Sequence, residues 1–182
     1  MAEAAISMSE EIRSSEQKGG KHLTFVLGHE EYGLEILKVR EIIGYVDVTS
    51  IPQSPDYVKG VINLRGQVIP VIDLRAKFGM EAVAATEETC IIVVEIIQKQ
   101  RSISTGIVVD QVSEVLDISK ENIEQAPEFG GSVNTDFILG MGKIGDSIKT
   151  LLDIDKVLSH TEIVNIVKEA GQGNRMKRHC RL

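Results

Sequence analysis

Short apolar runs rich in β-branched residues, separated by polar pairs and glycines, recur along the chain. The clearest are residues 61–64 and 68–74, which flank the polar pair Arg65-Gly66. Runs of this length indicate consecutive buried strands around a tight turn. A glycine after Arg65 allows the positive φ that such turns need. We therefore predict a hairpin with the Arg65 guanidinium at its tip, where the loop itself supplies no carboxylate. A solvated turn arginine and a contact with an outside partner both remain open.

The flanking segments follow the same strand pattern, with few helical signals. Residues 23–27 predict a first strand, and residues 32–51 predict strands with a bulge, because glycines and the β-branched run at 46–51 disfavour a helix. Residues 73–79 predict one helical turn closed by Gly79, followed by a surface connection. The apolar spacing from Ile154 to Val167 predicts short C-terminal helices.

The second half of the chain repeats the order of the first. Residues 105–116 align without a gap on residues 32–43, so that Gly106 falls on Gly33. Further along, Gly140 matches Gly60, and the motif Leu151 to Ile154 matches Val71 to Leu74. Two matches in the same order indicate a duplicated β unit. Each unit has about five short strands, which is enough for a small barrel. The predicted fold is therefore mainly β, with two small five-stranded barrels packed along an apolar seam.

Composition limits what the protein binds. Hydrophobic residues make up 42% of the chain and aromatic residues 4%, with no tryptophan, so the core must be aliphatic. The net charge is −7, while Asn174 to Leu182 alone carries +4, which leaves −11 for the remainder. Such an acidic body disfavours nucleic acid and anionic lipid surfaces as partners.

Metal, disulfide and membrane signals are missing from the sequence. The two cysteines lie in no CxxC pair and the four histidines are scattered, so we expect neither a metal site nor a cofactor. We find no signal-peptide core and no apolar window of about 18 residues, and we therefore expect a cytoplasmic protein.

One motif points towards an enzyme or nucleotide-binding domain. Residues 140–145 read GMGKIG, a literal GxGxxG, but nucleotide binding requires a long helix directly after it. The following residues alternate like a strand, so turn glycines are the preferred interpretation. Asp153 and Asp155 are expected to be helix caps or solvated acids. No catalytic residue is predicted, and the chain is interpreted as an interaction module. Binding of proline-rich peptides is disfavoured by the few aromatic residues.

Five motifs together carry a family resemblance: residues 29–45, 57–79, 106–116, 126–130 and 139–146. They resemble the CheW family of bacterial chemotaxis coupling proteins over about residues 22–160. The resemblance implies two intertwined SH3-like barrels, one at about residues 21–82 and the other at about residues 88–152. An exchange of strands between the two barrels is left open. Residues 1–20 would form a flexible arm and residues 161–182 a helix and basic tail. That tail does not resemble the family and could be a species-specific extension, an electrostatic tether or an appended sequence.

The resemblance also implies a function and a site. The protein would be an adaptor in membrane receptor arrays, joining the cytoplasmic tip of a methyl-accepting chemoreceptor to the regulatory domain of the chemotaxis histidine kinase. The implied receptor groove is lined by six residues: Val39, Glu41, Asn63, Arg65, Val112 and Val115. Kinase contacts are not assigned to residues. Four glycines are expected at structural turns: Gly60, Gly66, Gly106 and Gly140.

The internal repeat gives a different expectation for different residues of this predicted site. Val39 and Val112 occupy equivalent positions, so both could be core residues, and Glu41 matches Glu114, so it could have a shared structural role. Arg65 has no counterpart, since the second unit carries glycine there. A residue present in one copy of a duplicated fold is more readily explained by function than by folding.

Overall fold

The computed structural model describes residues 19–98, 100–128 and 135–158. In chain order the strands are β1 (Gly20–Leu27), β2 (Glu30–Glu35), β3 (Val39–Gly44), β4 (Val58–Leu64), β5 (Gln67–Asp73), β6 (Cys90–Gln98), β7 (Arg101–Val109), β8 (Gln111–Ile118), β9 (Ile123–Glu124), β10 (Ile138–Ile144) and β11 (Ser147–Leu152). Two short helices follow β5 and β11: α1 (Leu74–Lys77) and α2 (Ile154–Val157). Single 3₁₀ turns span Ile36–Lys38 and Lys120–Asn122. Within these ranges no helix is long and apolar enough to cross a membrane.

The strands form two sheets, and each sheet combines strands from both halves of the chain. Sheet A has the order β8-β1-β2-β11-β10-β9, and sheet B has the order β3-β6-β7-β5-β4. The bridge between Thr49 and Val61 adds a position beside β4 that corresponds to β9 in sheet A. The two sheets are therefore built alike, with the hairpins β1–β2 and β6–β7 exchanged between them. The predicted mainly β architecture of two small units is confirmed. The barrel bounds at about residues 82 and 88 stay a prediction, and the exchange of strands is the arrangement that this prediction allowed.

The sequence repeat is reproduced in the strand register. Gly33 pairs with Leu151 in sheet A, and Gly106 pairs with Val71 in sheet B, in parallel ladders. A Cβ at Gly33 would lie 2.7 Å from Leu151 Cδ2, so a larger residue there would require the Leu151 side chain to move. Equivalent backbone bonds precede the two helices, from Asp73 N to Tyr57 O at 2.7 Å and from Asp153 N to Phe137 O at 2.8 Å. The aligned residues thus occupy equivalent places in the fold.

Two aliphatic clusters form the core. The larger one contains buried side chains of both sheets, among them Leu23 and Leu152 of sheet A and Ile92 of sheet B. The smaller one belongs to sheet B and includes Ile91 and Val93. Successive residues of β6 therefore point alternately into the two clusters, as the two-residue period of a strand requires. The larger cluster is the apolar seam that the sequence predicted.

Four aromatic rings form a continuous stack within this seam. The ring centroids of Phe25 and Tyr32 are 5.9 Å apart, those of Tyr32 and Phe78 5.8 Å, and those of Phe78 and Phe137 5.6 Å. All four side chains belong to the larger cluster or pack against it. Because these rings serve the core, they do not line an exposed groove for a proline-rich peptide.

Several local predictions are confirmed and others are wrong. α1 begins at the capping carboxylate of Asp73 and is closed by Gly79, whose φ is 72°. Residues 45–51 are not a strand, however, and contribute only the Thr49 bridge. Of the four glycines expected in turns, Gly66 lies in one. The other three lie inside strands: Gly60 in β4, Gly106 in β7 and Gly140 in β10. The predicted N-terminal arm, the last helix and the basic tail lie outside the described residues.

Two carboxylate clasps hold the tips of the exchanged hairpins. In clasp I, Asp110 accepts hydrogen bonds from Arg75 Nε and from the backbone N–H of Gly28, both at 2.8 Å. In clasp II, Asp155 accepts from Lys38 Nζ at 2.7 Å and from the backbone N–H of Ile97 at 3.4 Å. Gly28 and Ile97 are equivalent positions of the two hairpins, and Arg75 and Asp155 are equivalent positions of α1 and α2. The helix therefore supplies the base in clasp I and the acid in clasp II, while Lys38 lies one position after Leu37, the counterpart of Asp110.

Clasp I should make stability depend on pH. Burial opposes ionisation of Asp110, but the hydrogen bonds from Arg75 and Gly28 and the charge of Arg75 outweigh it and lower the pKa of this carboxyl. A lowered pKa in the folded state adds stability above the unfolded value of about 4, and that stability is lost as the pH falls through the folded value. We expect Asp110→Asn to lower the free energy of unfolding at pH 7 and to lower it less at pH 3, measured by urea denaturation. An equal loss at both pH values would contradict this, and Asp47→Asn, at an exposed residue, is the control.

A buried hydroxyl in β7 predicts a stabilising substitution. Thr105 is fully buried and its Oγ1 has no hydrogen-bond partner within the described ranges. An unsatisfied buried group costs roughly 1–3 kcal/mol, so Thr105→Val should raise stability by about 1 kcal/mol, or Tm by about 2–4 °C. Thr24 is the matched control, since its buried Oγ1 donates to Glu114 O at 2.8 Å and Thr24→Val should lower Tm. Thermal unfolding of both variants checks the pair, and a lower Tm for Thr105→Val would contradict it.

Candidate functional site

The β4–β5 hairpin ends in a two-residue turn that projects Arg65. Arg65 and Gly66 both have positive φ, 51° and 84°, as a type I′ turn requires. Asn63 Oδ1 accepts a hydrogen bond from Gly66 N at 2.9 Å and so helps to hold the turn. The Arg65 side chain is 77% exposed at the tip. The predicted hairpin is confirmed, and Asn63 has a structural role within it.

Arg65 is paired with a carboxylate from outside the loop. Its Nη1 and Nη2 donate to Glu41 Oε1 and Oε2 at 3.1 and 3.0 Å, a bidentate ion pair. Glu41 lies on β3, at the opposite end of sheet B from β4, so the pair spans the gap between the two edge strands. The loop itself supplies no carboxylate, as the sequence indicated, and the partner comes from a strand that is 24 residues away in sequence.

The alternation of side chains along β3 sets the direction of the Glu41 side chain. Burial alternates along this strand, and Glu41 shares the half-buried face with Val39 and Ile43, while Arg40 and Ile42 face solvent. The Glu41 side chain is only 24% exposed, so its carboxylate needs a partner more than the arginine does. An exposed ion pair of this kind contributes at most about 1 kcal/mol to folding. The pair therefore leaves a preoriented, exposed guanidinium beside a partly buried carboxylate.

The valines of the predicted groove lie on two different sheets. Val39 is on β3 and Val112 on β8; each is half-buried and packs against the larger core cluster. Val115, also on β8, is 49% exposed. β3 and β8 are equivalent edge strands of sheets B and A. The structure thus brings Glu41, Asn63 and Arg65 together, while no hydrogen bond or ion pair of the described residues joins Val112 or Val115 to them. The six-residue groove stays a prediction.

Exposed apolar residues beside the hairpin were not singled out from the sequence. Val68 pairs with Asn63 next to the turn and is 59% exposed, and Ile42 follows Glu41 and is 43% exposed. Alternation along β3 was the available signal for Ile42, which lies on the exposed face of that strand. The apolar run of β5 gives no such signal for Val68, because four buried residues follow it in succession. Val68 adds apolar surface next to the turn that carries Arg65, whereas Ile42 lies on the opposite face of β3 from Glu41.

The GMGKIG motif does not form a phosphate-binding loop. Gly140 and Gly142 lie within β10, where added Cβ atoms would lie 2.7 Å from Ile123 Cγ2 and 3.2 Å from Ile118 Cδ1. Gly145 is in the turn to β11, with φ of 59°, and a strand follows it where a phosphate loop needs a helix. The glycines therefore allow close packing and a tight turn. In the described part of the chain, no cluster of three or more His, Cys, Asp or Glu residues could hold a metal ion.

Comparisons with known proteins agree on one family. The family model of the CheW-like domain matches residues 21–162. The chain is 46% identical over 150 residues to Chemotaxis protein CheW of Klebsiella aerogenes, which covers 82% of this chain and 88% of the relative. It is 34% identical over 152 residues to the protein of the same name from Bacillus subtilis, covering 83% and 92%. The crystal structure of scaffolding protein TtCheW from Thermoanaerobacter tengcongensis matches with a TM-score of 0.69 at 34% identity, covering 78% of this chain and 94% of that one.

The family-model match includes every described strand apart from the first residue of β1, and it includes Glu41 and Arg65. The matches confirm the resemblance seen in the sequence motifs and give no support to a nucleotide-binding domain. The chain belongs to the CheW-like family of chemotaxis adaptor proteins.

Proposed function

We propose that this adaptor couples the cytoplasmic tip of a chemoreceptor to the regulatory domain of the chemotaxis histidine kinase, and so transmits receptor state to autophosphorylation. The single observation that carries the proposal is the Glu41–Arg65 pair at the tip of a rigid hairpin. It offers an oriented cation and a carboxylate near the exposed apolar Val68, which suits an amphipathic receptor helix.

In this proposal each kind of residue has a separate task. The charged pair sets the register of the receptor helix and speeds encounter, because exposed charges act mainly on association and specificity. The half-buried Val39 and Val112 and the exposed Val115 supply apolar contact. Asn63 acts indirectly, since its side chain holds the turn that carries Arg65. No residue has a catalytic task, and the protein acts by binding alone.

The location follows from the partners. A protein that joins receptor tips to a kinase works on the cytoplasmic side of the membrane, within the receptor array, and reaches the membrane only through the receptor. The kinase-binding residues are not assigned.

A reconstitution with purified components tests the proposal. The full chain is mixed with a receptor signalling fragment and with the kinase regulatory domain, first separately and then together, and the complexes are captured and quantified. We expect both binary complexes and a ternary complex. We also expect receptor-dependent autophosphorylation of the full kinase only when the adaptor is present. Failure to bind either component, or full receptor control of the kinase without the adaptor, would overturn the proposal.

A further inference from the structure

Each clasp joins a helix of one half of the chain to a charged residue of the other half. In clasp I, Arg75 of α1 pairs with Asp110, which directly follows β7. In clasp II, Asp155 of α2 pairs with Lys38, which ends the 3₁₀ turn after β2. α1 follows β5 and α2 follows β11, and the parallel ladders β5–β7 and β11–β2 bring the partners together. The clasps therefore lie where the exchanged hairpins join the two sheets.

The signs of these four charges matter because the groups are partly shielded from solvent. The side chains are 15% and 25% exposed for Arg75 and Asp110, and 24% and 34% exposed for Lys38 and Asp155. Charges at this depth are screened less by salt and water than fully exposed ones, and two like charges placed together there are unfavourable. Each clasp thus favours an opposite charge across its strand junction and disfavours a like one.

The internal repeat defines a second arrangement of the two hairpins. Without the exchange, β1–β2 would lie beside β5 in the first half, and β6–β7 would lie beside β11 in the second. Arg75 would then lie beside Leu37 and Lys38, because Leu37 is the counterpart of Asp110. Asp155 would lie beside Asp110. The unexchanged arrangement would therefore bring two cations together at one helix and two carboxylates together at the other.

A buried ion pair on the β11–β2 ladder opposes the same alternative. Lys149 is 7% exposed, and its ammonium pairs with Glu31 of β2. The counterparts on β5 and β7 are Ile69, which is 3% exposed, and Ser104. Without the exchange, Lys149 would face the hydroxyl of Ser104, and Glu31 would face Ile69; the carboxylate of Glu95 lies one strand further on. A buried charge that loses its partner is strongly destabilising.

We propose that the charges of the two clasps, together with the Lys149–Glu31 pair, select the exchanged arrangement of the hairpins β1–β2 and β6–β7. Apolar burial distinguishes the hairpins poorly, because Leu23 of β1 and its counterpart Ile92 of β6 are both apolar and almost fully buried. Charges distinguish them sharply, because the alternative contains like charges and an unpaired ammonium as well as altered packing.

A disulfide competition reports which sheet holds the hairpin β1–β2. Continuing the register of the β11–β2 ladder places Glu30 beside Ile148, and the hairpin registers make Val68 of β5 the counterpart of Ile148. All three residues are exposed. The reporter chain carries cysteine at these three positions and has Cys90→Ser and Cys180→Ser. It is refolded from urea in a glutathione buffer, and the monomer is mapped by mass spectrometry. The sorting ratio is the amount of disulfide from position 30 to 148 divided by that from 30 to 68.

The charges of the two helices are then exchanged in the reporter chain. With unaltered clasps we expect the sorting ratio to favour position 148 by roughly tenfold or more. In Arg75→Asp with Asp155→Arg, the clasps favour the unexchanged arrangement, so the ratio should fall by roughly tenfold or more. Arg75→Asp alone gives both arrangements the same charge contacts and should lower the ratio by a smaller factor. Arg75→Lys keeps the sign of the charge and should leave the ratio unchanged.

A second control reverses an ion pair that lies within one half. Lys143→Glu with Glu124→Lys reverses the charges of the pair between β10 and β9 and should leave the sorting ratio unchanged. An unchanged ratio in the helix double variant, or an equal fall in either control, would overturn the proposal. If the double variant does not fold, Arg75→Asp and Asp155→Arg decide singly, and an unchanged ratio in either overturns it. The receptor–kinase proposal is judged by its own complexes and stands or falls separately.

Discussion

Arg65→Ala should weaken binding of the receptor signalling fragment by about 1–3 kcal/mol, or roughly 5- to 150-fold in Kd, with almost no change in Tm. The substitution removes the exposed cation and also leaves the carboxylate of Glu41 without its bidentate partner. Stability should hardly change because the Arg65 side chain is 77% exposed and such pairs add little to folding. Isothermal titration calorimetry and thermal unfolding measure the two effects.

Arg40→Ala is the matched control for this experiment. Arg40 lies on β3 next to Glu41 and is also in an exposed bidentate pair, with Glu95, but it faces the other side of the strand. It should lose little receptor affinity. If Arg65→Ala lowered Tm sharply with unchanged affinity, or if Arg40→Ala were equally damaging to binding, the hairpin would not be the receptor contact.

Gly60→Ala should destabilise the fold by roughly 3 kcal/mol or more, a larger loss than we expect from Asp110→Asn or Thr24→Val. Gly60 has φ of 142°, and an added Cβ would lie 1.9 Å from the carbonyl oxygen of Thr49. That backbone cannot easily retreat, because Thr49 and Val61 exchange two hydrogen bonds of 2.9 Å. For a chain of this size the loss should lower Tm by at least about 6 °C, measured by calorimetry.

The same substitution at two other glycines gives a comparison for the loss of stability in Gly60→Ala. At Gly44 of β3 an added Cβ would meet no atom within 4 Å, so Gly44→Ala should be neutral or gain roughly 0.5–1 kcal/mol. At Gly140, the counterpart of Gly60, the nearest atom is a side-chain carbon of Ile123 at 2.7 Å, and side chains move more easily than backbone. The expected order of damage is Gly60, then Gly140, then Gly44. A mild Gly60→Ala would show that the Thr49 segment moves aside.

The local elements were predictable where neighbouring residues decide them. The Arg65-Gly66 turn, the helical turn between Asp73 and Gly79 and the alternation of β6 depend on φ preferences, capping and the strand period. Residues 46–51 were predicted wrongly because neighbouring residues do not decide their structure. Their β-branched residues suit a strand, but within the described structure only Thr49 finds a ladder partner there, in Val61.

The candidate site was only partly predictable. The motifs placed Glu41 and Arg65 in one family site, yet no local pattern pairs a residue of β3 with a residue of the β4–β5 turn 24 positions away. The roles of Asn63 in holding the turn and of Val39 and Val112 in the core also depend on side-chain directions. Such directions follow from the fold and cannot be read from spacing alone.

By itself, the sequence determined the aliphatic β character of the protein, the hairpin that projects Arg65 and the duplication of one β unit. Each of these depends on short-range chemistry: β-branched runs, glycines with free φ, and a repeated order of motifs. Only the tertiary structure decided which strands share a sheet, and it exchanged the hairpins β1–β2 and β6–β7 between the two halves. The physical reason is that identical local units can pair within a half or across halves with similar ladders. The choice between them depends on long-range contacts such as the seam around Phe25 and the two clasps.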